Sequence, residues 1–496
     1  MTLLSDVRRA GIVPLLPIVL AALQGGCASE TARADDRLLP GRSRELLAHD
    51  WPHPSAYKYG ASAFAAPDPK ASLVRSPNRL RTYVIPHAAD PVVRITAALR
   101  LGTAFEDEGE RGASELLIHV LTNGRAADGT PIRAAIDGLG SRLQVEQGSD
   151  LATISLEVLP EDWRTALDLL IGMLRDRHYD EEAIKAWRAG PGYATPTAGT
   201  AGPGFRPTVE LERLFRGTTS SLESGRRVTS AAVRAVADRA LAPGAVVLGI
   251  GGSVERADAV TAISKLTSSW SDPDQQPRPA RVAPVRQPSA RAYMVDAAGW
   301  TGWIAFGHPV GPVPAIDEPA FAVLGEILNI RLNIAAREIR GLANKTSFEL
   351  PTSATRIGLM HVRTGGRPEA VAPLIDVGQK ELMRIRKADD PLAPEELEMV
   401  KGGLILGQWQ RALDGARAAS TAYAVETVRY GSTERLLDWP RAVQAVTAEQ
   451  VKTAAQAYIR PEQLVTVVIG PVDQIRQARH PRWPAAFGDL KAVALP

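Results

Sequence analysis

The residues best spaced for chemistry lie in the stretch Gly112 to Gly124, GASELLIHVLTNG. Glu115 and His119 stand four apart, so a helix would stack a carboxylate and an imidazole on one face. Such a pair could supply two ligands of a metal site. The residue just before the histidine is Ile118, whose alkyl group takes no proton. Zinc asks for three or four protein ligands. The default reading of the pair is therefore a packed or hydrogen-bonded core histidine and a helix-surface carboxylate. The chain has no Gly-x-Ser-x-Gly, Walker loop, Cys-x-x-Cys or His-Glu-x-x-His. His49 and His53 are also four apart, but Pro52 and Pro54 argue against a helix that would join them.

The elements that must position Glu115 and His119 can be read from periodicity. Leu116, Leu117, Val120 and Leu121 mark the buried face of a short helix. Before it, Thr82 to Ile85 reads as a strand, with Val92 to Leu101 as its antiparallel partner. After it come a helix over Ile132 to Leu139 and two strands within Leu143 to Leu159. An amphipathic helix follows over Pro160 to Arg177, with Trp163, Ala166, Leu167, Leu170 and Leu174 inward. Gly and Pro crowd residues 190–204, and no Asp or Glu occurs from Ala183 through Thr208. A long helix cannot cross that stretch.

Residues 228–254 recur at 446–472. Val228-Thr229 matches Val446-Thr447, Val233 matches Val451, Pro243 matches Pro461 and Val254 matches Val472. The shift is constant, so the chain carries an internal duplication one domain long. Trp270 to Arg291, rich in Pro, Arg and Gln, reads as the linker between the halves.

In this order of elements the chain resembles the insulinase/pitrilysin family, which includes the mitochondrial processing peptidases. The family's inverted motif His-x-x-Glu-His falls on Glu115, Ile118 and His119. The resemblance implies that one zinc ligand has become a carboxylate and the base an alkyl group. The family's third ligand, a Glu farther on, falls near Tyr193 to Thr195, inside the Gly/Pro stretch. Gly140 to Val145, with Gln144, corresponds to an edge strand that pairs with substrate backbone. Tyr293 to Gly307 is similar to the opening of the family's second domain, with Thr301 where Gln is usual. Ala336-Arg337-Glu338-Ile339-Arg340-Gly341-Leu342-Ala343 is similar to the family's Arg-Glu-Lys-Arg-Gly-Leu-Ala-Tyr, whose Arg and Tyr hold substrate near the zinc. Arg337 is kept, and Asn344 stands at the Tyr position. The resemblance implies an α+β clam of two homologous domains, each a mostly antiparallel sheet with helices on one face. No cofactor is expected, because the zinc ligands are missing.

The N-terminus reads as an export signal: Arg8 and Arg9, then the apolar run Gly11 to Leu23, then Cys27, the only cysteine. Gly25-Gly26-Cys27 is similar to a lipoprotein lipobox, although Gln24 stands where Leu is usual. An ordinary signal peptide with an incidental cysteine is the alternative. The expected layout is a signal over 1–27, a tether over 28–72, domains over 73–269 and 292–483, and a linker over 270–291. The expected location is the periplasmic face of the outer membrane, with Cys27 lipidated and the membrane touched through that anchor only. The net charge of +3, with no basic tract carrying interleaved aromatics, argues against a nucleic-acid partner. The expected function is a non-catalytic subunit in heterodimer with an intact zinc-peptidase homologue, acting on peptide or unfolded segments. A stand-alone peptide-binding lipoprotein and a peptidase with a divergent site are the alternatives.

Overall fold

Among the described residues, twelve short strands form two six-stranded sheets that share one wiring plan at five of their six positions. The computed structural model describes residues 64–126, 128–176, 181–189, 202–216, 228–271, 280–281, 288, 291–354, 357–478 and 491–492. Apart from Phe64, these belong to one compact unit, Ala65–Pro496. Cys27, most of the tether and residues 190–201 lie outside the described residues.

Sheet 1 holds β1 (Leu73–Arg75), β2 (Arg81–Pro86), β3 (Val93–Leu99), β4 (Gln144–Gln147), β5 (Ala152–Val158) and β6 (Val246–Gly252). Their order is β1-β2-β6-β3-β5-β4. Sheet 2 holds β7 (Ala292–Asp296), β8 (Gly302–Val310), β9 (Thr346–Glu349), β10 (Gly358–Gly366), β11 (Val465–Gly470) and β12 (Lys491–Ala492). Their order is β12-β7-β11-β8-β10-β9. In each sheet the last long strand of the repeat enters the middle. β6 runs parallel to β2 and antiparallel to β3, and β11 does the same between β7 and β8. This corrects one expectation: β2 and β3 are not antiparallel partners, because β6 lies between them. A strand so far along the chain leaves no local mark on the pair it separates.

Helices cover the sheets. The first half supplies α1 (Ala113–Asn123), α2 (Ile132–Gly138), α3 (Trp163–Arg175), α4 (Glu181–Ala189), α5 (Arg206–Arg216), α6 (Ser230–Ala240) and α7 (Arg256–Thr267). The second supplies α8 (Glu318–Asn333), α9 (Val371–Arg384), α10 (Pro394–Gly402), α11 (Ala416–Tyr430), α12 (Glu434–Gln444) and α13 (Ala448–Tyr458). The duplication is visible in detail. Thr229 and Thr447 cap α6 and α13 by accepting the N–H groups of Ala232 and Gln450. A short turn starting at Pro243 or Pro461 then leads into the central strand.

One face of each sheet packs on its own helices. Val84, Ile95, Leu99, Leu248 and Ile250 meet α1, α3 and α6 residues in one core; Ile304, Phe306, Val362 and Val468 meet α8, α9 and α13 residues in the other. The opposite faces exchange helices. α5, from the first half, lies on β8 and β11 of sheet 2, while α11, from the second half, lies on β2, β3 and β6 of sheet 1.

Candidate functional site

Helix α1 starts at Gly112, whose φ of +86° suits glycine and whose lack of a side chain leaves no local cap. Glu106 takes over that role. Its carboxylate accepts the N–H of Gly112 at 3.0 Å and of Ser114 at 2.8 Å. Burial raises the Glu106 pKa, and these backbone N–H groups offset part of the rise. Glu110 braces the same loop, accepting the Asp107 N–H at 3.0 Å and the Arg239 guanidinium at 2.6 Å.

Along α1 the expected surface carboxylate is not on the surface. Glu115 is buried at 4% exposure, so that reading is corrected: its turn of the helix faces inward together with Leu116 and Leu117. Ile118, 5% exposed, belongs to the first core. His119 is half-buried, and Asn123 lies alongside, its Nδ2 3.3 Å from Nδ1 and 3.0 Å from the His119 carbonyl. Burial lowers the His119 pKa; the Ala183 carbonyl on α4 opposes that shift and the Arg133 charge adds to it. Nε2 nonetheless makes no hydrogen bond of full geometry. The ring thus meets a carbonyl from α4 where a metal site would offer a carboxylate.

Among the described residues no three His, Cys, Asp or Glu side chains converge. The nearest acids past the Gly/Pro stretch, Glu210 and Glu212, ride on α5, which packs on sheet 2. Glu210 is buried and pairs with Arg213 at 2.8 Å. The position expected to match the third ligand, 193–195, lies outside the described residues.

The other expected site residues are on separate elements. Gln144 is exposed at the start of β4, the edge strand of sheet 1. Arg337 lies where α8 widens into a π turn over Ile334–Glu338, and it pairs with Glu338 at 3.4 Å with both side chains largely exposed. Asn344 is exposed in the following loop.

The two sheet edges differ in a way the sequence reading missed. The outward N–H groups of Thr346 and Phe348 on β9 are taken by the side-chain oxygens of Asn333 (3.0 Å) and Asn329 (3.3 Å), and Asn333 Nδ2 also donates to the Thr346 carbonyl. Among the described residues, no hydrogen bond reaches the outer edge of β4. Two asparagines four apart near the end of the mostly apolar α8 were the available signal.

The class that fold and site define is a two-domain, M16-like peptidase architecture. Residues 227–404 match the family model described as Peptidase M16 inactive domain. A protease from Helicobacter pylori is similar at a TM-score of 0.68 and 15% identity, over 80% of this chain and 99% of that one. A peptidase M16 inactive domain from Pseudomonas fluorescens is similar at 0.63 and 20%, over 80% and 97%. A comparison with curated protein sequences gave no match. Residues 227–404 are thus similar to the M16 inactive domain, and the two-sheet fold as a whole is similar to that of M16-like peptidases. The matched segment begins after α1, so the state of the zinc motif rests on Glu115, Ile118 and His119 themselves.

Proposed function

We propose that this chain is a non-catalytic, peptide-binding subunit that works beside a homologue with an intact His-x-x-Glu-His helix. The observation that carries the reading is α1: two ligand-type residues, an isoleucine where the base would stand, and, among the described residues, no third ligand gathered around them. With no metal to lower the pKa of a water, hydrolysis has no nucleophile. Binding survives that loss. The open edge of β4 offers backbone groups to an extended peptide, a mode that needs only main-chain hydrogen bonds. Exposed Arg337 is the residue proposed to reach toward bound peptide, with Asn344 in place of the family's tyrosine. The envelope location and a lipid anchor at Cys27 belong to the same proposal.

A native pull-down of the tagged full chain from detergent-solubilised envelope tests it. Stoichiometric recovery of a zinc-bearing homologue is expected. Recovery of the chain alone would overturn the partner reading and leave a solitary peptide-binding protein.

A further inference from the structure

The two exchanged helices are held by different chemistry. On sheet 2, Leu211 and Phe215 of α5 are buried against Tyr293, Val295, Ala305, Val467 and Ile469. The start of α5 adds Thr208, 3.1 Å from His361 Nε2, and Phe205 lies against the Arg363 guanidinium, 4.0 Å from ring centroid to Cζ. On sheet 1, α11 buries Ala419, Tyr423 and Ala424 but adds many more polar contacts than α5 does. Thr421 Oγ1 is 3.0 Å from Thr96 Oγ1, which is 2.9 Å from Ser155 Oγ. Thr427 Oγ1 is 2.8 Å from Tyr83 Oη, and Arg417 donates to Glu157 at 3.0 Å. Arg81 donates to the Gly431 carbonyl at 3.2 Å, and Arg429 faces Asp150 at 3.5 Å. The Tyr83 and Tyr423 rings, 5.5 Å apart, add an apolar contact.

Water can replace hydroxyl contacts and ion pairs when a seam opens, whereas it offers no substitute for apolar contact. A polar seam between two halves is the kind that opens transiently. We infer that the halves part at the α11–sheet 1 seam, while α5 stays on sheet 2 and moves with it. The face so uncovered carries Arg81, Tyr83 and Thr96 beside Ala98 and Val247, and it continues onto Ser155 and Thr153 of β5, opposite Gln144 and Glu146 on β4. α11 is thus a built-in cover over the face that adjoins the open edge. The inference rests on packing alone and holds whether or not a partner subunit exists.

Thiol trapping tests it, because the chain has a single cysteine. In a Cys27→Ala background, Thr96→Cys places a thiol under α11 and Ala305→Cys places one under α5; both positions are fully buried. Under native conditions the thiol at 96 should react with a maleimide at least about tenfold faster, because local opening is easier than global unfolding. Equal rates would mean that both are reached only by global unfolding, and a faster reaction at 305 would mean that α5 is the helix that leaves. Either result overturns the inference. Ser155→Cys and Val467→Cys repeat the comparison if the first pair folds poorly.

Discussion

Glu106 sets the N-terminus of the motif helix from outside it. Its two charge-assisted hydrogen bonds stand in for the cap that Gly112 cannot supply. Glu106→Ala should lower stability by about 1.5–3 kcal/mol, the range for hydrogen bonds to a charged group. The pH dependence has a definite sign. Burial raises the folded-state pKa above the ordinary value near 4.5. The folded protein therefore holds this proton more tightly than the unfolded chain, and the stabilisation is complete below about 4.5 and declines as pH rises through the folded value. Urea melts of the wild type and Glu106→Gln, which does not titrate, should show the wild type's advantage larger at pH 5 than at pH 7. A constant gap would mean that Glu106 ionises normally. The residues of α1 were legible in the sequence because helical spacing fixes which positions share a face. Glu106 was not, because its hydrogen bond to Ser114 spans eight residues and cap rules look one or two residues away. The burial of Glu115 was missed for a related reason: a carboxylate is placed outside by default, and the packing of α1 decides otherwise.

At the scale of elements, the duplicated unit was legible almost to the residue: α6 and α13 keep the shift read from Val228 and Val446. Where helices land was not. A hydrophobic pattern states that a helix has an apolar side, not which sheet receives it, so the exchange of α5 and α11 had no local signature. Glycine gives the one retrospective clue. A Cβ added to Gly249 would collide with the Ser420 carbonyl, and one added to Gly251 with the Ala416 carbonyl, both backbone atoms of α11. Central strands rarely carry two glycines unless another backbone comes close. Gly251→Ala should therefore destabilise by about 1–3 kcal/mol or more, the usual cost of overpacking, because a helix backbone cannot yield as a side chain does. Gly402→Ala is the control: it sits at the end of α10 with helical φ and open space around it. That change should be neutral or stabilise by about 0.4–1 kcal/mol through the unfolded chain. Chemical denaturation of the two variants side by side decides the matter, and equal effects would remove close approach as the reason for Gly251.

At the scale of the molecule, exchange makes each half incomplete. Sheet 2 has Tyr293, Val295, Ala305, Val465, Val467 and Ile469 on the face that α5 covers, and α5 comes from the first half. Each large apolar side chain buried there contributes about 1.5–3 kcal/mol, so Leu211 and Phe215 tie the halves together without the linker. A protease site placed within residues 272–279 should thus be cut without separating the pieces. The cleaved chain should run as one species on size exclusion and unfold in one transition. The second half made alone, from residue 291 onward, should be insoluble or bind hydrophobic dyes, and co-expression with residues 65–271 should restore it. Two pieces that separate after cleavage, with the second half unfolding cooperatively on its own, would mean that α5 is an accessory to sheet 2 and that the linker holds the clam together. The polar seam under α11 sharpens the expectation. If that seam is the one that opens, weakening α5 through Leu211→Ala with Phe215→Ala should release the second half from the cleaved chain, whereas weakening α11 through Gly251→Ala should leave the pieces associated.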